Sequence, residues 1–192
     1  MSTSRYHHGA VRAATLAAAR GLLERMPADK ISVRELARAS GVSHAAPYRH
    51  FGDRDDFLLA LTAVCLEEFV ARQQAAFDVA PPGRRLLAVG TAYVDFAVAH
   101  PHVFQLVYSR RAPGDDPHLD EAVTQHVGLL RAAVADAVEA GALTADAERA
   151  DVESAVWSLA HGLAHLAASG FLTCEQAPAI LAALLGGGDR AA

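Results

Sequence analysis

Cysteine is scarce. Cys65 and Cys174 are the only two among 192 residues, and neither sits in a CxxC pair. That argues against a disulfide framework or a thiolate metal centre, and leaves two small side chains for helix interiors. Long apolar runs are also missing. The longest, near Ala177 to Leu185, falls well short of the ~20 residues that cross a bilayer. The opening residues MSTSRYHHG lack the apolar stretch of a signal peptide. These absences predict a soluble, cytoplasmic chain with no membrane partner. No long β-branched alternation occurs, while alanine and leucine dominate, so an all-α fold is expected. No Walker loop and no GxGxxG is present, and no cofactor is expected. Gly41-Val42-Ser43 has the start of a nucleophile elbow but neither its second glycine nor its preceding strand, so no enzyme is expected.

Charge is unevenly spread. The net charge is −5, yet residues 1–52 carry eight basic and three acidic side chains, and the remainder is strongly acidic. A basic N-terminal quarter on an acidic body suits a local contact with a polyanion.

Apolar spacing divides the chain into about nine helices. The first spans His8 to Arg25, with Val11, Ala14, Ala18 and Leu22 as its stripe. The second, Val33 to Ala39, begins after Ser32 with Glu35 at capping-box spacing. Val33, Leu36 and Ala37 are its expected buried face. Gly41 suits a left-handed stop. The third runs from Ser43 to about Phe51 despite Pro47. The fourth, Arg54 to Phe77, starts after Asp53 and carries the seam Phe57, Leu61, Val64 and Cys65. A Pro81-Pro82-Gly83 connector follows. Five more helices span roughly 84–99, 101–109, 119–140, 147–168 and 174–185, and a polar loop occupies 110–117.

The second and third helices have the size of a helix-turn-helix, in which the leading end of the second member enters the major groove. His44, Ala45 and Ala46 occupy that end. Histidine can donate or accept at a base edge, and an alanine methyl can meet the methyl of thymine. Tyr48, Arg49 and His50 suit phosphate contacts, which orient without reading sequence. Val42 and Phe51 point inward.

These residues resemble a known pattern. From Tyr6 to Leu61, YHHGAVRAATLAAARGLLER and ISVRELARASGVSHAAPYRHFGDRDDFLLAL are similar to the DNA-binding domain of the TetR family of bacterial transcriptional regulators. The departure is Arg54, where lysine is usual. The resemblance implies that Arg34 reaches a base or phosphate, that His44, Ala45 and Ala46 read bases, and that Ser32, Ser43, Tyr48, Arg49, His50 and Arg54 hold the DNA backbone. Arg5, His7 and His8 could touch a neighbouring phosphate. It implies an N-terminal DNA-binding domain (residues 1–53), a connecting helix (54–77), and a C-terminal ligand-binding and dimerisation domain (78–192).

In the second half, AYVDFAVAHPHVFQLVYS and AVWSLAHGLAHL resemble the subgroup of that family marked by Trp157, His161 and Gly162. Tyr93, Phe96, Phe104 and Tyr108 supply aromatic surface. With His100, His126, Trp157 and His161 they could line a mostly apolar small-molecule pocket, or serve as ordinary core. His161 and His165 have metal-chelating spacing, but Gly162 replaces the glutamate of an HExxH helix and no third ligand is evident, so no metal is expected. The dimer stripes expected are Ala155, Leu159, Gly162, Leu163 and Leu166 on one helix, and Ile180, Leu181 and Leu184 on the last. The function implied is a ligand-responsive regulator, most simply a homodimeric repressor of a palindromic double-stranded operator. The alternative is a helical small-molecule-binding or protein-interaction module without DNA binding.

Overall fold

A computed structural model describes residues 3–41, 51–109, 116–143, 148–173 and 175–185. Among these the fold is all-helical. The helices are α1 (Thr3–Leu22), α2 (Val33–Ser40), α3 (Arg54–Val79), α4 (Arg85–Ala99), α5 (Pro101–Ser109), α6 (Pro117–Glu139), α7 (Arg149–Ala168) and α8 (Gln176–Leu185). A 3-10 turn at Ala28–Lys30 lies between α1 and α2. The helix expected from Ser43 to Phe51 falls mostly outside the described residues. Among the described residues, no helix is long and apolar enough to cross a membrane.

The chain forms two compact units. One contains residues 1–67 and 100–122, the other 68–99 and 123–192. Both α3 and α6 therefore contribute residues to each.

In the first unit, Leu16, Ala19 and Leu22 of α1 are buried, with Leu23 just after it. The expected stripe is rotated: Ala14 is exposed, and Val11 and Ala18 are half-buried. Alanines occupy so much of α1 that their spacing carries little directional information, and the leucines, with more area to bury, choose the face. Val33 is likewise corrected. It is 40% exposed, because it opens α2 on the solvent side while Leu36 and Ala37 turn inward.

Capping defines α2 at both ends. The Ser32 hydroxyl accepts the Glu35 N–H at 3.2 Å and donates to the Glu35 carboxylate at 2.7 Å. That carboxylate also accepts the Ser32 N–H at 3.1 Å, completing a capping box. These bonds to Ser32 hold the Glu35 carboxyl below its ordinary range. Gly41 ends α2 at φ 70°, ψ 18°, a conformation costly for any residue with a Cβ.

Asp53 caps α3 by accepting the N–H groups of Asp55 and Asp56 at 2.7 and 2.9 Å. Phe51 and Phe57 meet edge to face at 5.2 Å, and the Arg12 guanidinium lies 5.3 Å from the Phe51 ring centre. Pro101 opens α5, where its missing N–H costs nothing.

In the second unit, α4 packs against α7 and α8. Leu86, Val89, Ala133, Val134 and Ala137 form a shared core. The connector before α4 is tied down by Asp136, which accepts the Gly83 N–H at 2.8 Å and an Arg85 N–H at 3.1 Å. Thr173 and Gln176 exchange a second reciprocal cap, 2.8 and 3.3 Å long, at the start of α8. Pro178 thus sits in the first turn, where the ladder does not need its N–H.

Candidate functional site

Three sets of residues were expected to work together, and the structure treats them differently. Of the ten expected at DNA, Ser43, His44, Ala45, Ala46, Tyr48, Arg49 and His50 lie outside the described residues. Ser32 and Arg34 stand exposed at the start of α2. The Ser32 hydroxyl is engaged in the cap. Arg54 is also engaged: its guanidinium donates to the carbonyls of Ala28, Asp29 and Ile31 at 3.2–3.4 Å. It locks the start of α3 onto the 3-10 turn, a job that calls for a forked donor and gives a reason for arginine over lysine.

The eight expected pocket residues divide between the units. His100, Phe104 and Tyr108 belong to the first. Phe104 and Tyr108 pack together at 4.9 Å. His100 Nδ1 lies 2.9 Å from the carboxylate of Glu24, which also pairs with Arg20. Burial works to raise the Glu24 carboxyl, and the bonds to Arg20 and His100 outweigh it, so it stays below its ordinary range. The first unit also holds an open hollow of about 380 Å³ beside the 3-10 turn, edged by Asp29, His102, Gln105 and Ser109.

The other five gather in the second unit. Tyr93, His126 and Trp157 line one small cavity together with Gln73, Leu86, Val89, Gly90 and Leu181. His161 stands behind them, its Nδ1 2.8 Å from the Tyr93 hydroxyl and its ring stacked on Trp157 at 5.4 Å. Phe96 does not reach the cavity; it packs on Phe69 at 4.6 Å. His126 lies 5.5 Å from Phe69 and 6.2 Å from Tyr93 between ring centres. Burial lowers the His126 imidazole to about 4. It lowers His161 too, with help from neighbouring His165. Both rings are therefore neutral near pH 7, apolar in body and polar at the edge. Sequence spacing missed Gln73, although a glutamine on the buried side of an apolar helix is a visible signal. It also gave no hint of Gly90, which matters only because α8 crosses there.

The expected dimer stripes divide by their exposure in the single chain. Leu163 and Leu181 are 4% and 1% exposed within the single chain, where they pack among its own helices. Ala155, Gly162 and Leu166 are exposed on α7, Leu159 and Ile180 are half-buried, and the side chain of Leu184 lies outside the description. Phe171, which the spacing did not single out, is 78% exposed just beyond α7. His161 and His165 rings meet at 4.6 Å, and among the described residues no group of three potential ligands forms a metal site.

Comparison with known proteins adds a second line of argument. Residues 16–61 match the model for bacterial regulatory proteins of the tetR family. Residues 86–185 match the tetracyclin repressor-like C-terminal domain. A Rhodococcus sp. RHA1 protein of unknown function is 34% identical, with a TM-score of 0.79 over 96% of this chain and 98% of that one. The TetR family transcriptional regulator PfmR from Thermus thermophilus is 25% identical, with a TM-score of 0.66 over 92% and 99%. The regulator FadR from Bacillus subtilis, solved with stearoyl-CoA, shares the fold at 13% identity, with a TM-score of 0.67 over 91% and 97%.

Proposed function

The chain belongs to the TetR family of bacterial transcriptional regulators, and on that premise we propose that it is a homodimeric repressor released from a palindromic operator by a small-molecule effector. DNA binding falls to residues 1–53, and effector binding and dimerisation to residues 78–192, with the helix over 54–77 connecting them. We read Trp157, His161 and Gly162 as the signature of the family's Trp-His-Gly subgroup. Such a regulator works beside the chromosome, in the cytoplasm.

The observation that carries the reading is the geometry of α2. Its start is fixed by a capping box and its end by a left-handed glycine, inside the span that matches the tetR-family model. A turn so defined sends the chain directly into the segment holding His44, Ala45 and Ala46. Those three read base edges, Arg34 reaches a base or phosphate, Ser43, Tyr48, Arg49 and His50 address the backbone, and Ser32 and Arg54 support those contacts by fixing the starts of α2 and α3. Two such segments, one per subunit, meet successive major grooves about 34 Å apart. The effector must bind the DNA-competent and released states unequally, or nothing shifts.

A mobility-shift titration on DNA from upstream of the protein's own gene tests this. Affinity is expected to fall steeply between about 50 and 200 mM salt as released counterions lose their entropic advantage. Tyr48→Ala is expected to weaken specific and random duplexes alike, and His44→Ala to change the selected base at one operator position. No shift at low salt would favour the module without DNA binding.

A further inference from the structure

We propose that the second-unit cavity takes an uncharged, flat aromatic ligand bearing one hydrogen-bond donor, that the donor is received by Gln73, and that Leu181 is the side chain displaced on entry. This rests on the reading that the effector binds in the C-terminal half.

Charge is the first constraint. The lining side chains with polar atoms are Gln73, Tyr93, His126 and Trp157, and the rest of the lining is apolar. No arginine or lysine is among the lining residues, and three arginines elsewhere in the unit are paired: Arg72 with Glu68 at 3.2 Å, Arg85 with Asp136 at 3.1 Å and Arg131 with Glu153 at 3.3 Å. A carboxylate or phosphate drawn into the cavity would surrender its hydration and gain no counter-charge. The neutral imidazoles of His126 and His161 supply none.

Shape is the second. Trp157 comes from α7, Tyr93 from α4 and His126 from α6. The planes of Tyr93 and His126 lie within 31° of each other, and Trp157 lies within 26° of the His161 ring behind it. Walls of this kind favour a ligand with a π-face of its own.

Gln73 supplies the polar specificity. It is only 2% exposed. Its amide nitrogen donates one N–H to the Phe69 carbonyl at 3.3 Å, which orients the amide along the helix. Gln73 lines the cavity, and its amide oxygen is the acceptor we assign to the ligand. A phenolic hydroxyl or an aromatic N–H matches it, whereas a ligand offering only acceptors would leave that oxygen buried and unsatisfied.

Volume identifies the movable wall. The cavity measures about 30 Å³, against ~300–1,000 Å³ for a typical ligand pocket. Leu181 closes it from α8. A Cβ added to Gly90 would lie 3.1 Å from Leu181 Cδ1, so the leucine occupies the room that glycine leaves on α4. Displacing that side chain adds its volume to the cavity, which Leu86 and Val89 also line.

Calorimetric titration of the full-length protein at pH 7 with 2-naphthol and with 2-naphthoate tests the proposal. The two rings are alike, but the first is a neutral donor and the second an anion. Naphthol is expected to bind at least tenfold more tightly. Gln73→Leu should weaken naphthol about fivefold and leave naphthalene unchanged, a pattern that simple loss of packing would not give. Leu181→Ala should tighten naphthol, since an opened apolar cavity accepts an aromatic guest. Naphthoate binding as well as naphthol, or no saturable heat with naphthol, would overturn the proposal, and the wild-type comparison alone decides this if a variant misfolds. The regulator reading stands or falls separately, on the mobility shift measured without either probe.

Discussion

His126 shows how one side chain carries both a readable and an unreadable property. The sequence places it on a helix near other aromatics, which is enough to nominate it for a pocket. Its protonation behaviour comes from Phe69 and Tyr93, which reach it from α3 and α4 and have no fixed sequence distance from it. Because burial holds the folded imidazole at about 4, against about 6.5 in an unfolded chain, folding is favoured by its neutrality. That contribution is complete above pH 6.5 and declines as pH falls towards 4, since the unfolded chain takes up a proton that the folded chain resists. Between pH 7 and pH 5 it amounts to about 2 kcal/mol. Urea unfolding of wild type and His126→Gln at the two pH values measures it. The wild type is expected to lose more stability on acidification by about that amount, and parallel losses would show that His126 is not the group responsible. Val33 and Ala14 were misplaced for a simpler reason: an apolar residue at a helix end, or one alanine among many, does not fix which side faces the core.

At the scale of elements, boundaries governed by local chemistry were legible and packing partners were not. Ser32 with Glu35, Asp53 at the start of α3 and Pro101 at the start of α5 all act as their spacing suggests, because a cap needs only residues within one turn of itself. The two connecting glycines divide along the same line. Gly41 was recognisable as a helix stop. Gly83 was recognisable only as part of a turn, because its constraint comes from α6. Both have positive φ, 70° and 78°, but a Cβ on Gly41 would meet nothing within 4 Å, whereas one on Gly83 would lie 2.8 Å from the Ala140 Cβ. Gly41→Ala is therefore expected to cost only the left-handed penalty, about 1 kcal/mol. Gly83→Ala adds a backbone-borne clash and a disturbed bond to Asp136, and should cost about 2–4 kcal/mol. Thermal unfolding of the two variants compares them directly, and equal losses would mean that the Gly83 connector yields freely. The same distinction explains the pocket. The aromatic residues of α4 and α5 look continuous along the chain, yet His100, Phe104 and Tyr108 belong to one compact unit and Tyr93 to the other.

At the scale of the whole molecule, the proposal requires a second copy of the chain, and α7 carries the clearest surface for one. Its apolar residues occur on nearly every side, so periodicity alone grouped Leu163 with Leu166. The folded chain separates them: Leu163 is 4% exposed and Leu166 is 45% exposed. Ala155 and Gly162 stand exposed on the same helix as Leu166, small enough for another helix to approach closely. Phe171 is 78% exposed beyond the end of α7, a large aromatic suited to anchoring an interface. Replacing Leu166 and Phe171 together by aspartate would bury like charges against each other if that surface pairs around a two-fold axis. The double variant should keep its helical signal and sediment at the 20.2 kDa of one chain, while the wild type sediments at twice that mass. Its affinity for a palindromic duplex should drop to that of a single half-site, because linkage of the two reading heads contributes through effective concentration and not through new contacts. A variant that remains dimeric and retains full operator affinity would move the interface elsewhere on the molecule and leave Phe171 as a solvent-facing residue without a partner.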